Sequence, residues 1–192
     1  MPALILASGS PYRRELLTRL GVGFEVIAPG VSEAHIAGES PADRALRLAQ
    51  EKARAVARQH PEATVIGSDQ VAAAADGVLD KPGNAERCRL QLTALSGHSA
   101  RFYTACALYG ERAGLQRAHV DTTTVMFREL SADEIERYVA RERPFDCAGG
   151  FKVEALGISL FDYIETADPT ALIGLPLIWL AGALRAAGYP LP

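Results

Sequence analysis

The sequence predicts an α/β protein built on a mixed sheet. Three observations carry that reading. Short apolar runs alternate with helix-capping signals up to Gln70, a hairpin signal and two long strand patterns fill the middle, and two further helices with start signals follow. The 192 residues suffice for one compact domain with a real core, or for two small lobes sharing a sheet. With no internal repeat, low-complexity segment or linker, residues 1–192 are read as a single domain.

Leu4 to Ala7 is a short buried strand, and Ser8-Gly9-Ser10-Pro11 turns it into a helix that Gly21 stops near Leu20. Ser10 is a good N-cap and Pro11 a good first helical residue. A second strand lies near Phe24 to Ile27, with Glu33 in the loop after it. Ser40-Pro41 repeats the start signal and opens a long helix to about Arg58. Thr64 to Gly67 is read as a strand ending in Ser68-Asp69-Gln70. Val71 to Ala75 and Val78 to Leu79 then flank Asp76-Gly77, a two-residue hairpin turn. Asn84 caps a helix ending before Gly97, and strands follow at about Arg101 to Tyr109 and Gln116 to Phe127. Ser131 with Glu134 forms a capping box for a helix to about Ala140. Phe151 to Tyr163 contains one more strand, and Pro176 opens a helix that Gly188 ends.

Composition narrows the function classes. Hydrophobic residues make up 48% and charged residues 22%, which is ordinary for a globular chain and excludes disordered and collagen-like classes. A net charge of -3 and the lack of a basic stripe argue against nucleic acid as a partner. No apolar stretch approaches the ~20 residues of a membrane span. The opening segment has no basic n-region, and Cys88, Cys106 and Cys147 suggest neither a disulfide framework nor a metal motif. A cytoplasmic location is expected.

Four features point toward chemistry. The strand–turn–helix at Ser8 to Arg14 offers backbone N–H groups and a positive dipole end to an anion. Arg13 falls on the leucine face of that helix, between Leu20 and Leu17, so it meets either a bound anion or an internal Asp or Glu. Lys52 lies inside the apolar stripe of its helix, between Leu48 and Val56, and either snorkels outward or meets a buried negative charge. Asp69 closes an apolar strand, where ligands of α/β sheets gather, although an acid there also serves plain turns. With Glu33 it could supply oxygen ligands to Mg²⁺ or Mn²⁺. Lys81 and Lys152, read alone, are solvated charges.

Taken together, these segments resemble the Maf family of nucleoside triphosphate pyrophosphatases. The resemblance runs from Leu4-Ile5-Leu6-Ala7-Ser8-Gly9-Ser10-Pro11 through Leu48 to Ala53, Gly67-Ser68-Asp69-Gln70-Val71, Lys81-Pro82, Cys147-Ala148-Gly149 and Gly174-Leu175-Pro176. It implies an elongated mixed sheet with two lobes around a central cleft. It implies a reaction assisted by a divalent cation (Mg²⁺, Mn²⁺ or Co²⁺) on a nucleotide substrate. Dimers are common in the family, so a homodimer is among the expected partners. Asp69 would be the general base, Ser8, Arg13, Lys52, Lys81 and Lys152 would face the phosphates, and Glu33 and Asp69 would lie at the metal.

Three positions carry the family's division by base, and here they read Tyr12, Gln70 and Glu154. Gln70 and Glu154 resemble the subgroup that hydrolyses 7-methyl-GTP to 7-methyl-GMP and pyrophosphate, a removal of modified nucleotides. That subgroup has Trp at position 12, and Tyr keeps an aromatic ring with a smaller stacking face. N7-methylated guanine is cationic, so it stacks on an aromatic ring, and its N1–H and N2–H groups suit a carboxylate such as Glu154. Two alternatives stay open: a dTTP/UTP or broad-specificity Maf pyrophosphatase, and a non-catalytic nucleotide-binding regulator of septum formation.

Overall fold

The structure is a computed structural model that describes residues 2–75 and 77–192. It is mixed α/β, as the sequence predicts. Strand β1 (Leu4–Ala7) is buried along its whole length, which suits a run of four apolar residues. Helix α1 (Pro11–Thr18) follows, then strand β2 (Glu25–Ile27) and helix α2 (Pro41–Ala57). Next come strand β3 (Thr64–Ala74), strand β4 (Gly77–Leu79) and helix α3 (Ala85–Leu95). Strands β5 (Ser99–Gly110) and β6 (Leu115–Phe127) lead to helix α4 (Ala132–Glu142). Strand β7 (Phe161–Glu165) and helix α5 (Leu177–Ala186) complete the order.

The sheet order is β2-β1-β3-β5-β6-β7, with β4 paired to β3. Strand β1 is parallel to both neighbours, with Leu6 opposite Val26 on one side and Ile66 on the other. Strands β3–β4 and β6–β7 are antiparallel pairs. The first of these is the expected hairpin, but Gly77, expected in its turn, already belongs to β4 and pairs with Ala74. Asp76 of its turn lies outside the described residues.

Two further sequence expectations change. Ser68-Asp69-Gln70 does not end a strand, because β3 runs unbroken through it. Three polar letters in a row look like a turn, but each finds a partner across the pleat, so the ladder continues. The strand expected within Phe151 to Tyr163 begins only at Phe161, after single 3₁₀ turns at Ala148–Gly150 and Leu156–Leu160. Gly149 and Gly150 there have φ of 81° and 70°, a backbone that favours glycine.

The residues group into two compact units. The first comprises residues 1–70, 103–121 and 168–192, and the second 71–102 and 122–167. In the first unit Leu4, Leu6, Leu16, Leu17, Ile66, Leu108, Leu175, Leu180 and Leu184 form one buried cluster. The second unit has an aromatic centre in which Phe151 meets Phe102, Phe127 and Phe161 edge to face, at centroid distances of 5.3, 5.7 and 4.8 Å. Among the described residues, no helix is long and apolar enough to cross a membrane.

Candidate active site

Helix α1 starts as its sequence dictates. Ser10 Oγ accepts from the Arg13 backbone N–H, Pro11 opens the first turn, and Ser8 Oγ, itself buried, accepts from the Ser10 N–H at 3.1 Å. No acidic residue lies in that first turn. Arg13 instead reaches across the unit and donates through Nε to the Gly174 carbonyl at 2.9 Å. Burial draws its pKa below the ordinary value, while Asp69 and Glu33, close enough to act through charge, offset part of that shift. The arginine's hydrogen-bond partner is therefore a backbone carbonyl, and the charges of two carboxylates act on it as well.

Lys52 does not snorkel. Its Nζ lies 2.6 Å from Asp69 Oδ1 and 2.5 Å from Glu33 Oε1. The lysine and aspartate side chains are only 7% and 10% exposed, whereas Glu33 is 57% exposed. One cation thus joins a buried acid on β3 to an acid on the open loop after β2. The close approach of α2 to β3 makes this contact feasible. A Cβ on Gly67 would lie 2.1 Å from the Ala49 carbonyl oxygen and 2.7 Å from the Ala53 nitrogen, so only glycine lets the helix sit this near. Gly67 and Asp69 share a face of the pleated strand, and that face meets α2.

Ser68 and Gln70 occupy the opposite face. Ser68 Oγ lies 2.8 Å from the Ala105 carbonyl and 3.0 Å from the Gly174 carbonyl. Gln70 Nε2 lies within 3.1 Å of Thr104 Oγ1 and of the carbonyls of Ala171 and Leu172. Asp168, buried before this turn, accepts from Thr170 and, through Oδ2, from the Ile178 N–H at 2.6 Å. It thereby caps α5 from outside, since Pro176 at the N-cap offers no side-chain acceptor.

Of the four remaining predicted residues, Tyr12 lies half-buried in the first turn of α1, and the other three belong to the second unit. Lys81 and Glu154 are exposed, and Lys152 is half-buried. Lys152 is held by its backbone: its N–H donates to the Tyr138 hydroxyl at 3.2 Å, and Gly157 packs against it so closely that a Cβ there would lie 2.3 Å from the Lys152 carbonyl oxygen. Ser68 and Gly174 enter the sequence reading only as parts of longer motifs, and the contacts of Thr104, Asp168, Tyr138 and Gly157 are not ones that residue type or spacing shows. Each takes part in a contact in which at least one side is a backbone atom, and backbone atoms are common to every sequence.

A family model described as Maf-like protein matches residues 3–187. The chain belongs to the Maf family. A relative in Xanthomonas axonopodis pv. citri (strain 306), named 7-methyl-GTP pyrophosphatase, is 54% identical over 192 residues and covers all of both chains. Another of that name, in Cupriavidus metallidurans, is 50% identical over 189 residues, 98% of this chain and 95% of that one. Among solved structures, a HAM1 protein from Coxiella burnetii aligns with a TM-score of 0.54 and 18% identity over 97% of this chain and 100% of that one, a likeness of fold.

Proposed function

We propose that this Maf-family protein hydrolyses 7-methyl-GTP to 7-methyl-GMP and pyrophosphate. The observation that carries the reading is the Glu33–Lys52–Asp69 cluster beside Arg13. It combines a buried carboxylate for a proton with cations for a polyphosphate. The relatives' names supply the substrate.

In the reaction, a water oxygen forms a bond to the α-phosphorus while the bond from that phosphorus to the bridging oxygen breaks. Pyrophosphate carries away the electron pair. Asp69 takes the proton of the attacking water. Arg13 and Lys52 offset the charge that builds on the leaving group. Lys81 and Lys152 are proposed to bind phosphate on the resemblance alone, and Ser8 to help shape the turn that receives it.

A divalent cation fits this chemistry in a particular way. Among the described residues no cluster of three or more His, Cys, Asp or Glu side chains could hold a metal. A pair of carboxylates does suit a cation such as Mg²⁺ that takes its remaining ligands from substrate phosphates and water. Glu33 and Asp69 would be its protein ligands, and it would supply charge neutralisation and a more acidic water. For the base, Tyr12 is proposed to stack on the cationic ring and Glu154 to accept from its N–H edge.

Pyrophosphate release with Mg²⁺, Mn²⁺ or Co²⁺ across 7-methyl-GTP, GTP, dTTP, UTP and CTP tests the reading. A kcat/KM for 7-methyl-GTP well above the others is expected. A preference for dTTP or UTP would remove the base assignment, and no release from any of them would remove the activity. Asp69→Asn should keep the fold and lose most turnover; a near-normal kcat would exclude Asp69 as the base.

A further inference from the structure

Glu142 is the last residue of α4, where the helix dipole disfavours a carboxylate. Its Oε2 accepts the Leu156 backbone N–H at 3.1 Å. Tyr138 comes four residues earlier, on the same face of the helix. It is buried, and its hydroxyl accepts the Lys152 N–H at 3.2 Å. Two acceptors one helical turn apart, about 6 Å along the axis, thus take two backbone donors that are also four residues apart.

The segment between those donors is a closed turn. The Ala155 N–H donates to the Lys152 carbonyl at 3.2 Å. Gly157 folds back on Lys152 so tightly that a Cβ would lie 2.3 Å from its carbonyl oxygen and 2.9 Å from its nitrogen, both backbone atoms. Glu154 sits within this turn and is exposed, and among the described residues its carboxylate has no hydrogen bond or ion pair. A side chain without a partner of its own is placed by its backbone. That backbone is held before Glu154 by Tyr138 and after it by Glu142.

We propose that Glu142 is a positioning residue for base selection: by holding the Leu156 end of the turn, it sets where Glu154 projects. This rests on the pyrophosphatase reading, in which Glu154 accepts from the base, and deepens it. Lys152 keeps its own anchor on Tyr138, so loss of the Glu142 contact bears on the base more than on the phosphates.

Affinities of 7-methyl-GMP and UMP for the full chain, measured by titration calorimetry, are set beside kcat/KM for 7-methyl-GTP and UTP. Glu142 is only partly buried and ends its helix, so it can be replaced without opening the core. Glu142→Leu removes the acceptor and should lower affinity and kcat/KM for the methylated purine about three- to tenfold, as expected for a lost hydrogen bond, with a smaller change for the uracil compounds. Glu142→Gln keeps an acceptor oxygen and should restore the preference. In a Glu154→Gln background, Glu142→Leu should alter the preference no further, because the group it positions is gone. Leu156→Pro deletes the same hydrogen bond from the donor side, since proline has no N–H and suits the first residue of a 3₁₀ turn, and it carries the test if Glu142→Leu does not fold. An equal loss for both bases, or a change in preference as large with Glu154→Gln as without it, would overturn the proposal. A wild type that binds 7-methyl-GMP no better than UMP would overturn both the proposal and the base assignment. A wild type that prefers 7-methyl-GMP but releases no pyrophosphate from either triphosphate would instead overturn the activity, and the affinity comparison would still decide the role of Glu142.

Discussion

Replacing Gly67 by alanine tests what holds Lys52 against Asp69. The added Cβ would lie 2.1 Å from the Ala49 carbonyl oxygen, 2.7 Å from the Ala53 nitrogen and 2.9 Å from the Ala53 Cβ. Ordinary heavy-atom contacts sit at ~3.5–4.0 Å, so α2 and β3 must part by roughly 1 Å. Two of the blocking atoms are backbone, so no change of rotamer relieves the clash. Overpacking of a core costs ~1–3 kcal/mol, and a backbone clash belongs at the upper end, about 3 kcal/mol. In a chain of 192 residues, each kcal/mol lowers the melting temperature by about 2–4 °C, so a fall of roughly 6–12 °C is expected. Asp69 lies two residues along the same face, and its 2.6 Å contact with Lys52 does not survive such a separation. Misplacing a catalytic group by about 1 Å costs on the order of 100-fold in rate. The assay pairs thermal melting by far-UV circular dichroism with pyrophosphate release. Gly23→Ala is the control, because nothing lies within 4 Å of its added carbon. If Gly67→Ala melts with that control and turns over like the wild type, the close approach of helix and strand is not what holds the pair.

Three further outcomes follow from buried or capped charges. Lys52→Met leaves the nearly buried Asp69 carboxylate without its cation, a loss of about 3–5 kcal/mol in denaturant unfolding. The double variant Lys52→Met/Asp69→Asn should regain part of that loss, and a double variant less stable than the single one would argue against the pairing. In the capping box of α4, the Ser131 backbone N–H, then Arg128 and the Ser131 hydroxyl, hold the Glu134 carboxyl down to about 2 from an ordinary 4.5. A depressed carboxyl contributes stability above its unfolded pKa and loses it as pH falls toward the folded one. Glu134→Gln should therefore melt below the wild type near neutral pH and converge with it between about pH 4.5 and 2; a constant gap through that window would contradict the assignment. Burial pushes the Cys88 thiol up to about 11 and raises that of Cys106 as well. In mildly alkaline solution a thiol reagent should titrate Cys147 alone in the folded protein and all three cysteines in denaturant, and rapid reaction of a second thiol before unfolding would refute this.

The order of helices and strands is legible in the sequence because caps, prolines and apolar period are local signals. The inward place of Lys52 is legible too, since five charges on the same helix find the other side. Periodicity reports which face a side chain occupies and not what it meets there. The sequence therefore leaves Lys52 either to snorkel or to meet a negative charge, and does not single out Glu33 and Asp69 together. Arg13 illustrates the limit: its expected partner is a bound anion or an acid, and its hydrogen bond goes to the Gly174 carbonyl. The same reason hides Asp168, whose role is to accept the N–H of Ile178 at the start of a helix ten residues away. Ser68-Asp69-Gln70 misleads in another way, because polar residues that are paired across a sheet read like residues that end a strand.

The tether between Arg13 and Gly174 joins residues 161 positions apart. Leu16 and Leu17 likewise pack in one core with Leu175 and Leu180. During synthesis, helix α1 and its arginine emerge early, but the arginine's hydrogen-bond acceptor and part of the helix's apolar surroundings are absent until the segment around Gly174 and α5 has left the ribosome. Contacts this distant in sequence close late. A chain cut short before that segment keeps Ser8, Lys52 and Asp69 but lacks the carbonyl that tethers Arg13, so the arginine gains its hydrogen bond only in the final stretch of translation.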